Sequence, residues 1–119
     1  MEEIVFQDKQ RIIQEFVPGK QVTLAHVIAN PDKGLYRKLG AVDIESGALG
    51  IMTITPGEGA VIGADMAVKS AEIKLVFVDR FSGSLIFSGD VSNVEAGMRA
   101  VLDLLSQTLH FAPAEITKS

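Results

Sequence analysis

Hydrophobic and polar positions along the chain change period several times, and each change marks an element. Arg11 to Val17 is a short β-favouring run carrying Ile12, Ile13, Phe16 and Val17, closed by a Pro18-Gly19 turn. Gln21 to Ile28, rich in β-branched and apolar residues, predicts a second strand. Asn30-Pro31-Asp32 opens a short helix through Leu39, which Gly40 ends, and Ala41 to Ser46 form a loop. Ala48 to Thr55 predicts a strand stopped by Pro56-Gly57. From Glu58 to Ser70 the residues Ala60, Val61, Ala64, Ala67, Val68 and Ala71 recur at helical spacing, giving a face small enough for close packing. Glu72 to Asp79 predicts the next strand, Arg80 to Gly83 a tight connection, and Ser84 to Ser88 the returning arm of a hairpin. Ser92-Asn93-Val94-Glu95 has the form of a capping box, starting a helix to Leu109 with an apolar stripe of Val94, Met98, Val101, Leu102, Leu105 and Leu109. The polar residues 1–9 are expected to fray, and the tail from Phe111 has no clear period.

The resulting order is β-α-β-β-α, preceded by strand, strand and short helix. It predicts a mixed α/β (α+β) fold: a four-stranded sheet with two long helices on one face, plus an N-terminal strand at 10–18. The first crossover is expected to be right-handed and to join parallel strands, with the hairpin adding an antiparallel neighbour. At 119 residues the chain suffices for one domain with its own core, and no internal repeat divides it.

Charge and composition then remove classes of function. Eleven basic against fifteen acidic side chains, with the basic ones scattered, argue against binding nucleic acid. Without cysteine, neither a disulfide framework nor a thiolate metal site can form. Met1-Glu2-Glu3 lacks the basic start of a signal peptide and no run approaches a membrane span, so a cytoplasmic protein is expected.

The chemistry-bearing motifs are weak. Gly57-x-Gly59-x-x-x-Gly63 follows a strand, opens a helix, and precedes Asp79 at the end of the next strand, close to a dinucleotide fingerprint. Glu58 would repel a pyrophosphate, however, and the short return after Asp79 excludes a second crossover helix, so turn-making and close packing are the better reading of the glycines. His26 lies between apolar strand residues and His110 at a helix end, without metal-ligand spacing. Ser82-Gly83-Ser84 reads as a turn because G-x-S-x-G is absent. Neither a catalytic set nor a cofactor site is expected.

The run Ile13 to His26, I-Q-E-F-V-P-G-K-Q-V-T-L-A-H, closely resembles the N-terminal signature of circularly permuted shell proteins of bacterial microcompartments (BMC), of the ethanolamine- and propanediol-utilisation type. Ala64 to Ala71 (ADMAVKSA) resembles a helix motif of ordinary shell hexamers, and Ser82-Gly83 with Ser88-Gly89-Asp90-Val91 their hairpin and second helix start. Leu24 to Pro31 resembles the segment with which ordinary shell proteins end, here displaced to the beginning; that displacement is the mark of permutation. The resemblance implies a cyclic homohexamer tiling a microcompartment shell, with other shell proteins and enclosed enzymes as further partners.

It also implies that the N-terminal strands, Ile12, Ile13, Gln14, Glu15, Phe16 and Val17, gather on the sixfold axis as a small β-barrel. A ring of six otherwise unpartnered strands would leave no free edge. Lys69, Asp65 and Asn30 are placed by the same resemblance at the hexamer edge, although the arginine that ordinary relatives carry near Asn30 is missing. Arg80, Phe81, Ser82 and Gly83 match the loop facing the axis. Gly47, just before the strand Ala48 to Thr55, is a candidate curvature hinge, since glycine reaches backbone angles closed to other residues. A rival reading from another class is a small-molecule-binding regulatory α/β oligomer, for domains of this order and size also serve as regulatory modules.

Overall fold

The computed structural model describes residues 19–41, 43–44 and 47–119. Three elements lie where the periodicity places them: β1 (Gln21–Ile28), β2 (Ala48–Thr55) and α2 (Glu58–Ser70). Between β1 and β2, α1 (Lys33–Lys38) is capped by Asp32, whose side chain accepts from the Gly34 amide at 3.1 Å. The hairpin is β3 (Lys74–Asp79) and β4 (Ser84–Gly89), followed by α3 (Val91–Asp103).

Among the described residues the sheet has five strands where four are expected, in the order β3-β4-β2-β1-β5. The added strand, β5 (Thr117–Lys118), runs parallel to β1 from the tail that showed no period. Two residues are too few to display alternation, and the pairing depends on contacts more than ninety residues away in sequence. β2 and β3 run in the same direction but are not neighbours: β4 inserts between them and pairs antiparallel with both.

Both long helices pack on one face, α2 beside β3 and β4, α3 over β2 and β1. Alternation along the strands selects the inward set, namely Ala25 and Val27 of β1, Met52 and Ile54 of β2, Leu85 and Phe87 of β4. Val94, Met98, Val101 and Leu105 fill the space beneath the helices. Each such side chain contributes about 1.5–3 kcal/mol by leaving water. Leu49 takes the alternate register and is also buried, on the side where α1 brings Tyr36; the Tyr36 hydroxyl donates to the Gly47 carbonyl.

Two further expectations change. The capping box does not form: α3 begins one residue before Ser92, with Asp90 as N-cap, and Glu95 turns away to pair with Lys118 of β5 at 2.5 Å. An opposite charge in reach outcompetes the single amide a capping glutamate would receive. On α2, Ala60, Ala64 and Ala67 face the core as expected, but Val61 and Val68 remain 50% and 47% exposed.

Past Asp103 the helix widens into one π-helical turn, Leu104–Thr108. His110 then takes a left-handed φ of 63°, which sends Phe111 back into the core.

Candidate functional site

The strand registers divide the molecule into two ends. At one end Gln21 pairs with Thr55, Thr53 with Ser84, and Ser84 with Asp79. There the chain enters β1 from residue 20, and there the β3–β4 turn projects. At the other end Ile28 pairs with Leu49, Ala48 with Gly89, and Lys74 with Ser88. α2 runs from the first end to the second. The expected axial loop therefore shares an end with the attachment point of the expected axial strand, while Asn30, Lys69 and Gly47 lie toward the opposite end. Ile12, Ile13, Gln14, Glu15, Phe16 and Val17 themselves lie outside the described residues.

The axial-loop residues are held by backbone interlock. A Cβ on Gly57 would sit 1.6 Å from the Arg80 carbonyl oxygen, and one on Gly83 would sit 2.0 Å from that of Ile54. No side chain other than hydrogen fits between these two turns. The Ile54 amide donates to the Gly83 carbonyl at 2.9 Å, and the Gly83 amide to the Asp79 carbonyl at 2.8 Å. Asp79 closes the turn with its side chain, accepting from the Phe81 amide at 3.0 Å and the Ser82 hydroxyl at 2.8 Å. Donation from the Phe81 amide, then from Ser82, holds the Asp79 carboxyl below its usual range. On this base Phe81 stands 84% exposed, with the Arg80 guanidinium 4.9 Å from its ring centroid.

The nucleotide-like glycines serve packing. Gly59 lies against Ile54 and Phe111, and Gly63 against Val101 and Leu85. The Gly59 and Ala60 amides, which a phosphate would need, donate to Pro56 and Gly57 carbonyls at 2.9 Å. Asp79, the would-be ribose ligand, caps its own turn.

Lys69 and Asp65 form an i,i+4 pair at 2.8 Å on the exposed side of α2. Asn30 is exposed just past β1. Gly47 has φ of 115°, and a Cβ there would meet the Gly89 carbonyl oxygen at 2.9 Å. His26 is a structural residue: Nδ1 lies 2.6 Å from Thr117 Oγ1 and Nε2 2.8 Å from Ser119 Oγ, fastening β5 to β1.

A surface hollow of about 500 Å³ at the far end is lined by Asp43, Glu72, Lys74, Ser88, Asp90 and Asn93 among others. Its lysine is engaged with Asp43 at 3.8 Å. Among the described residues no group of three or more histidine or acidic side chains is placed to hold a metal ion, and no helix is long and apolar enough to cross a membrane.

The described residues thus present an interlocked turn at one end and a charged helix edge toward the other. The family model for the BMC domain matches residues 48–115, beginning at β2 and leaving β1 and α1 ahead of it, as the permuted order requires. The chain is 52% identical over 112 residues to the bacterial microcompartment shell protein EutS of Escherichia coli (strain K12), covering 94% of this chain and 99% of that one. Among solved structures it is similar to a CutR flat hexamer, with a TM-score of 0.81, 48% identity, and coverage of 92% of this chain and 100% of that one. It is also similar to a CutR screw of 41.9 Å pitch, with a TM-score of 0.80, 46% identity, and coverage of 86% and 100%. The chain belongs to the BMC-domain family of microcompartment shell proteins.

What sequence reasoning missed is apolar and exposed: Val61, Ile62 and Val68 on α2, and Leu75, Phe77 and Val78 on β3. The valines of α2 share its helical period with the core alanines, so periodicity alone placed them inward. The signal available was size, since only the alanines and glycines suit a helix pressed onto a sheet.

Proposed function

We propose that this protein is a non-catalytic subunit of a cyclic homohexamer that tiles the wall of a bacterial microcompartment. The observation that carries this reading is the division of the molecule into two ends, in a chain similar along almost its whole length to a subunit solved as a flat hexamer. One end presents the rigid Arg80–Gly83 turn beside the root of the N-terminal segment; the opposite end carries Lys69 and Asn30. Six copies arranged around the first end would gather the turns and the segments Ile12 to Val17 on the axis, and would set the charged ends outward for contact with neighbouring rings. Gly47, with a backbone angle that other residues rarely adopt, is the proposed hinge that lets such rings bend. A relative solved both as a flat hexamer and as a screw is consistent with that plasticity.

Native mass spectrometry of the full chain and of a chain lacking residues 1–17 tests the reading. Six-chain particles from both, with unchanged circular dichroism, are expected, because every described element lies downstream of the deletion. Monomers from the full chain would overturn the hexamer. Loss of the folded core on truncation would show that the segment belongs to the sheet and not to an axial barrel.

A further inference from the structure

The β3–β4 hairpin opens, at the far end of the sheet, onto the surface hollow of about 500 Å³, an ordinary size for a small-molecule site. Lys74 and Ser88 are the outermost pair of that hairpin, so Glu72 and Asp90 extend its two arms on either side of the opening. Their backbones are close, for a Cβ on Gly89 would lie 3.1 Å from the Glu72 carbonyl oxygen. Asp43 adds a third carboxylate, and the single cation of the lining, Lys74, sits 3.8 Å from it. Among the described residues no ion pair engages Glu72 or Asp90. Asp90, although the N-cap of α3, makes no capping bond with its side chain.

The floor of the hollow carries a second, independent signal. Ser88 follows Phe87 on β4, and because Phe87 points into the core beneath the helices, Ser88 points to the other face and lines the hollow. It is only 3% exposed, and among the described residues its hydroxyl has no hydrogen-bond partner. Buried hydroxyls are normally paired, since an unpaired one gives up the hydration it had in the unfolded chain. A ligand seated in the hollow would supply the partner that the fold does not.

We propose that this hollow binds a small linear diamine in its doubly protonated form, one ammonium toward Glu72 and the other toward Asp90, with Ser88 accepting a hydrogen bond from it. The charge of the lining calls for a cation, and an ammonium, which only donates, suits a hydroxyl free to accept. The acidic groups are not gathered closely enough to hold a metal ion, whereas N–H groups spaced along a chain reach separated acceptors one at a time. Two carboxylates without partners match two ammonium groups; a singly charged ligand would leave one of them uncompensated beside the other. The hollow lies away from the Arg80–Gly83 turn, and the inference does not depend on the ring.

Isothermal titration calorimetry of the full chain with 1,4-diaminobutane tests it, at neutral pH and physiological salt, with n-butylamine and calcium chloride as comparison titrants. The diamine should bind saturably, one per chain, and roughly tenfold or more tightly than either comparison. Glu72→Gln and Asp90→Asn keep the size of exposed side chains, and asparagine still suits an N-cap. Each should weaken diamine binding about tenfold while leaving the melting temperature without ligand unchanged. Ser88→Ala should weaken it severalfold. As a second readout, the diamine should raise the melting temperature of the unmodified protein and not that of the Glu72→Gln, Asp90→Asn double variant. Absence of saturable diamine binding would overturn the proposal. So would equal affinity for calcium or the monoamine. Undiminished binding by the folded carboxylate variants would also overturn it, placing the diamine elsewhere on a chain of net charge −4.

Discussion

His110 is the residue whose backbone most plainly works against its side chain. Its φ of 63° is needed to turn the chain out of the π-helical turn and bring Phe111 beneath Gly59. A side chain bearing Cβ is strained there, and a glycine is not. His110→Gly should therefore raise stability by about 0.5–1 kcal/mol, the strain relief being partly offset by the freer unfolded chain. Denaturant midpoints compared at one protein concentration check this, and a lower midpoint would show that the imidazole makes a contact worth more than the strain. Gly47 is the converse. At φ 115°, with the Gly89 carbonyl oxygen 2.9 Å from a prospective Cβ, Gly47→Val cannot keep the native conformation without about 1–3 kcal/mol of strain, so the connection into β2 must rebuild. If Gly47 is the hinge, assemblies of the variant should be flatter and more regular by electron microscopy. Unchanged curvature would remove it from that role.

At the scale of elements, legibility followed the number of periods a segment contains. β1, β2 and α2 hold enough residues to show their repeat, and their bounds agree with the periodicity. β5 is too short to show one, and it exists because His26 and the Val27 backbone receive it. The local pattern Ser-x-x-Glu misplaces the start of α3, because it leaves out Lys118, a partner that only the folded chain brings near. The outward valines of α2 show the same limit, for helical spacing defines a stripe but not which side of it a sheet will press. Resemblance to the family, not chemistry, singles out the candidate axial and edge residues. Their distribution between two ends of the sheet became visible only with the strand registers.

The β3–β4 turn gives an element-level prediction about acid. Asp79 has a depressed folded pKa, so its contribution is fully present above the ordinary carboxylate range and is lost as pH falls through the lower folded value. The Phe81 amide, which donates to that carboxylate, should stay protected from hydrogen exchange at neutral pH. After correction for intrinsic rates, it should lose that protection as pH falls below the ordinary carboxylate range. Asp79→Ala should expose the same amide at every pH. Protection that persists unchanged in Asp79→Ala would show that the glycine interlock alone holds the turn.

For the whole molecule, interaction surfaces carry the account. The helix pair of Asp65 and Lys69 is exposed and contributes little within one subunit. If Lys69 lies at the ring edge, as proposed, the pair is repeated around the ring as a set of contacts to neighbouring rings. Lys69→Ala should leave six-chain particles intact and raise the protein concentration needed for ordered arrays several-fold, measured by light scattering and microscopy. Arrays forming at the unmodified concentration would take Lys69 off the edge.

The central claim is that this chain is a wall subunit, and electron microscopy of the concentrated, unmodified protein tests it most directly. The account predicts sixfold rings joined side by side into sheets, tubes or bent ribbons, with the Arg80–Gly83 turns at the ring centres. Dispersed particles without sixfold symmetry or lateral order would contradict it.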